Sequence, residues 1–234
     1  MADDAGWDGA CQRVLITGAS SGIGASVAVA FARAGATVGI CARRQDRLDE
    51  VLKRCRQWAP DSRRWAVDLS RLDELDAFAA QAAEELGGVD VLVNNAGVPK
   101  RRLAAELSAT DVEGVMTINY FSPVRLTHAL LPAMLRQGSG HIINVSSMGA
   151  HSAAYRVGAY AASKAALELF TESLYLELGG TGVQAHLFVP GSTGPSSAPR
   201  RTATTRPLSR TRPPTPTLTT SPPLCSVASA IPGF

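Results

Sequence analysis

The sequence predicts an α/β fold: a doubly wound parallel sheet between two helical layers (three-layer αβα), built as a single domain. Two observations predict it. Short β-type apolar runs alternate with longer segments of helical periodicity between residues 12 and 193, and a glycine-rich turn joins the first run to the first helix. The length, 234 residues, is what one hydrophobic core commonly serves.

The first run, Val14-Leu15-Ile16, is short and bounded by Gly18, as expected of a buried parallel strand. A helix is expected from Gly22 to Ala34, with Val27, Ala30, Phe31 and Ala34 at helical spacing and Gly35 at its end. Thr37 to Cys41 reads as the second strand, Asp46 to Trp58 as a helix stopped before Pro60, and Trp65 to Val67 as the third strand. Leu72 to Leu86 is an alanine-rich helix closed by Gly87-Gly88, and Val89 to Val93 is the fourth strand. Ser108 to Gln137 reads as largely helical, with Pro123 expected to bend or interrupt it. His141 to Val145 is the fifth strand, Tyr155 to Leu178 a long helix stopped by Gly179-Gly180, and Val183 to Val189 the sixth strand. Right-handed crossovers place such strands in doubly wound order.

Residues 1–11 form a polar N-terminal tail, and residues 194–234 read as a disordered tail rich in Pro, Thr, Ser and Arg. The formal net charge of +3 is local in origin: Arg200, Arg201, Arg206, Arg210 and Arg212 all lie in that acid-free tail. Without them acidic residues slightly outnumber basic ones, which argues against a nucleic-acid partner. The beginning of the chain lacks secretory character and no apolar run is long enough for a bilayer, so no membrane association and a cytoplasmic location are expected. Cys11, Cys41, Cys55 and Cys225 form no CxxC pair, which argues against zinc, and Cys41 reads as a small buried hydrophobe. His128, His141, His151 and His186 have no ligand or triad spacing and read as structural, as do Trp58 and Trp65.

Three motifs carry chemistry. Thr17-Gly18-Ala19-Ser20-Ser21-Gly22-Ile23-Gly24 follows a strand and opens a helix. Such a turn lets the backbone approach a pyrophosphate, while the helix N-terminus supplies free N–H groups and partial positive charge. At the end of the second strand stand Arg43 and Arg44, where a dinucleotide fold meets the adenosine ribose. An acid there would bond the 2′-hydroxyl, whereas arginine suits a 2′-phosphate, so NADP(H) is favoured over NAD(H). Arg43 carries the stronger case, since Arg44 also reads as a solvated charge at a helix start. Lastly, Tyr160 and Lys164 share one helix face at i, i+4, and Ser147 follows the fifth strand at the carboxyl edge of the sheet. A phenol is a poor proton carrier near neutrality. A nearby ammonium favours the phenolate, and a serine hydroxyl can hold the oxygen that exchanges the proton.

Together these pieces resemble the short, single-domain branch of the short-chain dehydrogenase/reductases, a Rossmann-type family. The matching residues are Thr17 to Gly24, Asp68-Leu69, Asn94-Asn95-Ala96-Gly97, Asn119, Ser146-Ser147, Tyr160-Ala161-Ala162-Ser163-Lys164 and Pro190-Gly191, in the family's order and spacing over about residues 12–193. The resemblance implies Tyr160 as general acid in reduction and base in oxidation, Lys164 as its partner and a ribose contact, Ser147 as the catalytic serine, and Asn119 as the fourth member, holding a water of the proton relay. It implies cofactor contacts at Gly18, Ser20, Ser21, Gly22, Ile23, Gly24, Arg43, Arg44, Asp68, Leu69, Asn95, Ala96, Gly97, Tyr160, Lys164, Pro190 and Gly191, and no metal. The expected activity is hydride transfer between NADP(H) and a small-molecule carbonyl or secondary alcohol. A homodimer or homotetramer is implied, paired through the helices that carry Asn119 and Tyr160.

The chain departs from the family after Pro190-Gly191. Nothing beyond Thr193 has the pattern of the substrate-covering segment or of the seventh strand, which is therefore expected to be absent. The alternative reading is accordingly an NADP(H)-binding pseudoenzyme, or a truncated product without turnover. An extended epimerase or dehydratase of the same fold fits less well, because its glycine spacing differs.

Overall fold

The computed structural model describes residues 12–151 and 154–190, with the main chain of Thr204 and Thr205. The strands are β1 (Arg13–Thr17), β2 (Thr37–Ala42), β3 (Arg63–Ala66), β4 (Val91–Asn94), β5 (Gly140–Val145), β6 (Val183–Val189) and β7 (Thr204–Thr205). The helices are α1 (Gly22–Arg33), α2 (Gln45–Cys55), α3 (Leu75–Leu86), α4 (Ala109–Met116), α5 (Ser122–Gln137) and α6 (Gly158–Glu177).

The strands lie in the order β3-β2-β1-β4-β5-β6-β7. All pairings from β3 to β6 are parallel. The chain winds one way from β1 to β3 and the other way from β4 to β6. The reversal leaves a crevice beyond the carboxyl ends of β1 and β4, where ligands of such sheets bind.

Both faces of the sheet are buried, which is why its strands read as unbroken apolar runs rather than as alternation. Val14, Ile16, Val38, Ile40, Val91 and Val93 point to one side, against Phe31, Leu48 and Val51 of α1 and α2. Leu15, Leu92 and Ile142 point to the other, against Leu75 and Phe78 of α3 and Leu126, Leu130 and Met134 of α5. Trp65 joins this second core, edge-on to Phe78 at 5.9 Å between ring centroids. Trp58 does not: it is 57% exposed and lies under the Arg33 guanidinium, which corrects its reading as a packing residue.

A further expectation is refined and another corrected. The helical stretch that ends at Gln137 is interrupted just ahead of Pro123, by a π-helical turn, Thr117–Phe121. Pro123 sits in the first turn of α5, directly after that π turn, so its missing N–H falls within a continuous helical stretch. A seventh strand is also present, as the two residues Thr204–Thr205, antiparallel to Phe188 and Val189 of β6. Pairing through main-chain groups over two residues leaves no hydrophobic pattern to read. Gly191, residues 1–11 and the remainder of 194–234 lie outside the described residues.

Candidate active site

The carboxyl ends of β1 and β4 are stapled together by Thr17. Its hydroxyl donates to the Val93 carbonyl at 3.3 Å and accepts from the N–H groups of Asn95 and Ala96 at 3.0 and 3.1 Å. Asn95 answers with its amide, which donates to the carbonyls of Thr17 at 2.9 Å and Gly18 at 3.2 Å. Its side chain therefore shapes the glycine turn. Gly18 has φ +67°, and a Cβ there would lie 2.6 Å from the Cα of Ala96. A Cβ on Gly24 would lie 2.7 Å from the Gly18 carbonyl oxygen. Only glycine permits these two approaches.

The start of α1 is built as an open cradle. Ser21 holds the N-cap position, yet its side chain makes no capping bond. The hydroxyls of Ser20 and Ser21 instead accept from one guanidinium nitrogen of Arg44, at 3.0 and 2.9 Å. Nothing lies within 4 Å of the Cβ position of Gly22, whose φ is +58°. Uncapped first-turn amides, an arginine and open space together suit phosphate groups, so these residues fit a dinucleotide. Ile23 is partly buried against the core beneath the turn.

Arg44, the weaker candidate by sequence, is thus the arginine that touches the turn. Arg43 is exposed, and its charge reaches Asp68. Asp68 is held below the usual carboxylate range first by the N–H and O–H of Ser70, donating at 3.0 and 2.8 Å, and further by the charges of Arg43 and Arg71. Leu69 is buried in the core, so only its main chain is open to a ligand.

The ends of β4 and β5 are fixed by buried polar bonds. Asn94 and Asn144 are register partners. The Asn94 amide donates to Asn144 at 2.9 Å and to Thr127 of α5 at 3.3 Å, and the Asn144 amide donates to Thr171 of α6 at 2.9 Å. Short polar side chains at strand ends thereby lock both helices to the site edge.

Asn119 lies in the π turn and is fully buried. Its carbonyl oxygen accepts from Val98 N–H at 2.8 Å, and its amide donates to the Val98 carbonyl at 3.2 Å and to Ser163 Oγ at 2.9 Å. Lys164 is 3% exposed and donates to the Val145 carbonyl at 2.8 Å. Burial pushes its ammonium down to about 8, with the charge of Glu168 pulling the other way. Lys164 Nζ and Asn119 Oδ1 both stand 3.5 Å from the Cβ position of Gly97. Ser147 opens the single turn Met148–Ala150, and its hydroxyl accepts from Gly149 N–H at 3.1 Å. Seen from the Cβ position of Gly149, Ser147 Oγ is 3.5 Å away and the Tyr160 ring 3.6 Å. All four residues named from sequence therefore gather where β4 and β5 end. Pro190, half-buried, follows β6.

Sequence reasoning missed several partners. Ser163 lies inside the Tyr160–Lys164 run and ties Asn119 to α6, its own hydroxyl donating to the Tyr160 carbonyl at 2.7 Å. Glu168 is buried beside Ser146 and His151. Two further histidines also have partners: the rings of His141 and His186 meet at 3.1 Å across β5 and β6. Cys41 is buried, and burial pushes its thiol up to about 12, so it acts as an apolar residue. Among the described residues no three His, Cys, Asp or Glu side chains are grouped to hold a metal ion, and no helix is long and apolar enough to cross a membrane.

Comparison with known proteins agrees with this geometry. The family model for short chain dehydrogenase matches residues 12–205. A fatty acyl-CoA reductase of Mycobacterium tuberculosis is 40% identical over 194 residues, covering 81% of this chain and 66% of that protein. A fatty acyl-CoA reductase of Acinetobacter baylyi is 42% identical over 166 residues, covering 70% of this chain and 56% of its own length. The chain thus spans between half and two thirds of the length of these two relatives. Among solved structures, a metagenomic short-chain oxidoreductase in complex with NADP superposes with a TM-score of 0.74 at 34% identity, covering 78% of this chain and 83% of that one. Actinorhodin polyketide ketoreductase with NADPH gives 0.73 at 36% identity, covering 77% and 70%. By its motifs, its sheet and these matches, the chain belongs to the short chain dehydrogenase family.

Proposed function

We propose that the chain is an oxidoreductase that transfers a hydride between NADP(H) and a carbonyl or secondary alcohol. One observation carries the reading: Asn119 and Lys164 converge on Gly97, and Ser147 and Tyr160 flank Gly149, at the ends of adjacent strands. A proton carrier, a buried cation and a hydroxyl for the substrate oxygen then share one edge of the sheet.

The bound nicotinamide would supply or accept the hydride. Arg44, with Arg43, would hold the adenosine phosphate. The turn from Gly18 to Gly24 and the free amides of α1 would carry the pyrophosphate. Asp68 and the Leu69 main chain would meet the adenine. Ala96 and Gly97 would line the middle of the cofactor, while Lys164, Pro190 and Gly191 would meet its nicotinamide end. Ser147 Oγ would donate to the substrate oxygen. Tyr160 would give that oxygen its proton in reduction and take it back in oxidation. Lys164, one helical turn from Tyr160, would bond the nicotinamide ribose. The side chain of Asn119 is already committed to Val98 and Ser163. Its share in the relay would therefore run through main-chain groups that the π turn releases from α-helical pairing, with a water held there.

The choice of NADP(H) is supported by Arg44 on the turn serines and by the nucleotides named for the two solved neighbours. The two relatives named as fatty acyl-CoA reductases make fatty acyl-CoA thioesters the first substrates to test, beside simple ketones. The experiment is a fluorescence titration with NADPH and with NADH, followed by NADPH oxidation against that panel. Saturable binding, tighter for NADPH, and turnover abolished by Tyr160→Phe with binding kept are expected. Binding without turnover would make the chain a pseudoenzyme. Unchanged turnover in Tyr160→Phe would remove the acid/base assignment.

A further inference from the structure

Beside the four site residues lies a carboxylate to which the proposed reaction gives no role, although its charge reaches Lys164. Glu168 of α6 is 7% exposed as a whole residue, one helical turn beyond Lys164. Its two oxygens are divided. Oε1 accepts from Ser146 Oγ at 2.5 Å, and Oε2 meets His151 Nε2 at 2.9 Å. A carboxylate this buried is stable only when its lone pairs are used, and here both partners come from one short segment. Ser146 opens that segment at the end of β5, and His151 closes it just after the turn Met148–Ala150. Between them stand Ser147 and Gly149, the residues that face Tyr160.

We propose that Glu168 is a positioning residue: it clamps the segment from Ser146 to His151 at both ends against α6 and so sets where the Ser147 hydroxyl stands relative to Tyr160. The inference rests on the reading of Ser147 as the serine that holds the substrate oxygen. Lys164 and Glu168 divide the work on the same stretch of chain. Lys164 fixes the Val145 carbonyl, and Glu168 fixes the next residue and the far end of the turn. A helix is a rigid ruler, so two contacts one turn apart set both the place and the tilt of the turn. Small errors in such placement slow a reaction far more than they weaken binding.

The test compares the wild-type chain with Glu168→Ala, Glu168→Gln and His151→Ala, by hydrogen exchange without nucleotide and by steady-state NADPH oxidation. Glu168→Ala is expected to speed exchange at residues 147–151 roughly tenfold. Its kcat should fall roughly tenfold to a hundredfold, with NADPH affinity within about twofold. Glu168→Gln can still accept from Ser146 and reach His151, so it should recover most of both. His151→Ala frees only the far end of the turn and should lie between. Unchanged exchange at 147–151 in Glu168→Ala and His151→Ala overturns the clamp, as does a rise of equal size throughout the sheet. A wild-type chain that turns over no carbonyl defeats the reading of Ser147, and the exchange data alone then decide the clamp.

Discussion

The His141–His186 pair predicts how the fold responds to acid. The two rings share the face of the sheet that also carries Ile143 and Phe188, and meet at 3.1 Å. His186 is pushed down from 6.5 to about 4, first by burial and then by His141, and His141 is lowered as well, mainly by burial. Both rings are therefore held neutral by the fold at a pH where the unfolded chain would protonate them. The unfolded state binds more protons as pH falls from 6.5 towards about 4, so stability that is fully present above 6.5 is lost across that window. For His186 alone the shift integrates to about 3 kcal/mol, of which about 2 kcal/mol falls between about pH 7.5 and about pH 5. Replacing His186 by Gln removes the titrating ring and leaves His141 a hydrogen-bonding neighbour. Urea unfolding of both proteins at the two pH values, followed by tryptophan fluorescence, reads the difference. The wild-type chain should lose about 2 kcal/mol more than His186→Gln across that interval. Carboxylates that titrate in the same range cancel in the comparison. An equal acid loss in the two proteins, or a larger one in the variant, would refute the argument.

Two further predictions concern the nucleotide side. A Cβ on Gly24 would stand 2.7 Å from the Gly18 carbonyl oxygen and 3.0 Å from the Ala19 Cα, both main-chain atoms that cannot swing aside. Gly24→Ala should therefore destabilise the fold by about 1–3 kcal/mol and open the turn. Thermal melting and the NADPH titration check it, and a variant that melts and binds like wild type shows that the approach is not needed. Arg43→Ala and Arg44→Ala should each weaken NADPH roughly tenfold, because on the proposed reading each would hold the adenosine phosphate by a charge-assisted bond, while NADH stays within about twofold. In the double variant the two nucleotides should bind alike; a surviving preference for NADPH in that titration would mean that neither arginine reads the phosphate.

How much of this could be read from the sequence follows from the range of each interaction. The sheet was legible because strands buried on both faces are written locally, as Val14 to Ile16 and Val91 to Val93, with glycines marking where helices stop. Tyr160 and Lys164 were legible because helical geometry alone puts i and i+4 on one face, and Ser147 because a strand end is a place as well as a residue. The π turn was not legible. Thr117 to Phe121 carries no helix breaker, and Pro123 marks an interruption without saying what form it takes. What accompanies the altered register is three bonds from Asn119 to Val98 and Ser163, 21 and 44 residues away, and no local pattern contains them. Glu168 was hidden for the same reason. On a helix bearing Glu168, Glu172 and Glu177, one more acid reads as a solvated charge until tertiary structure places Ser146 and His151 over it. The arginines show a subtler limit: strand position puts the pair near the glycine turn, but which one reaches back to it depends on how the second strand ends. The parts of this site open to sequence are those fixed by one element's own geometry, and the parts hidden from it are the contacts between elements that hold those residues in place. Variants of Asn119 or Glu168 should accordingly disturb placement before chemistry, whereas Tyr160→Phe should remove the chemistry and leave the placement intact.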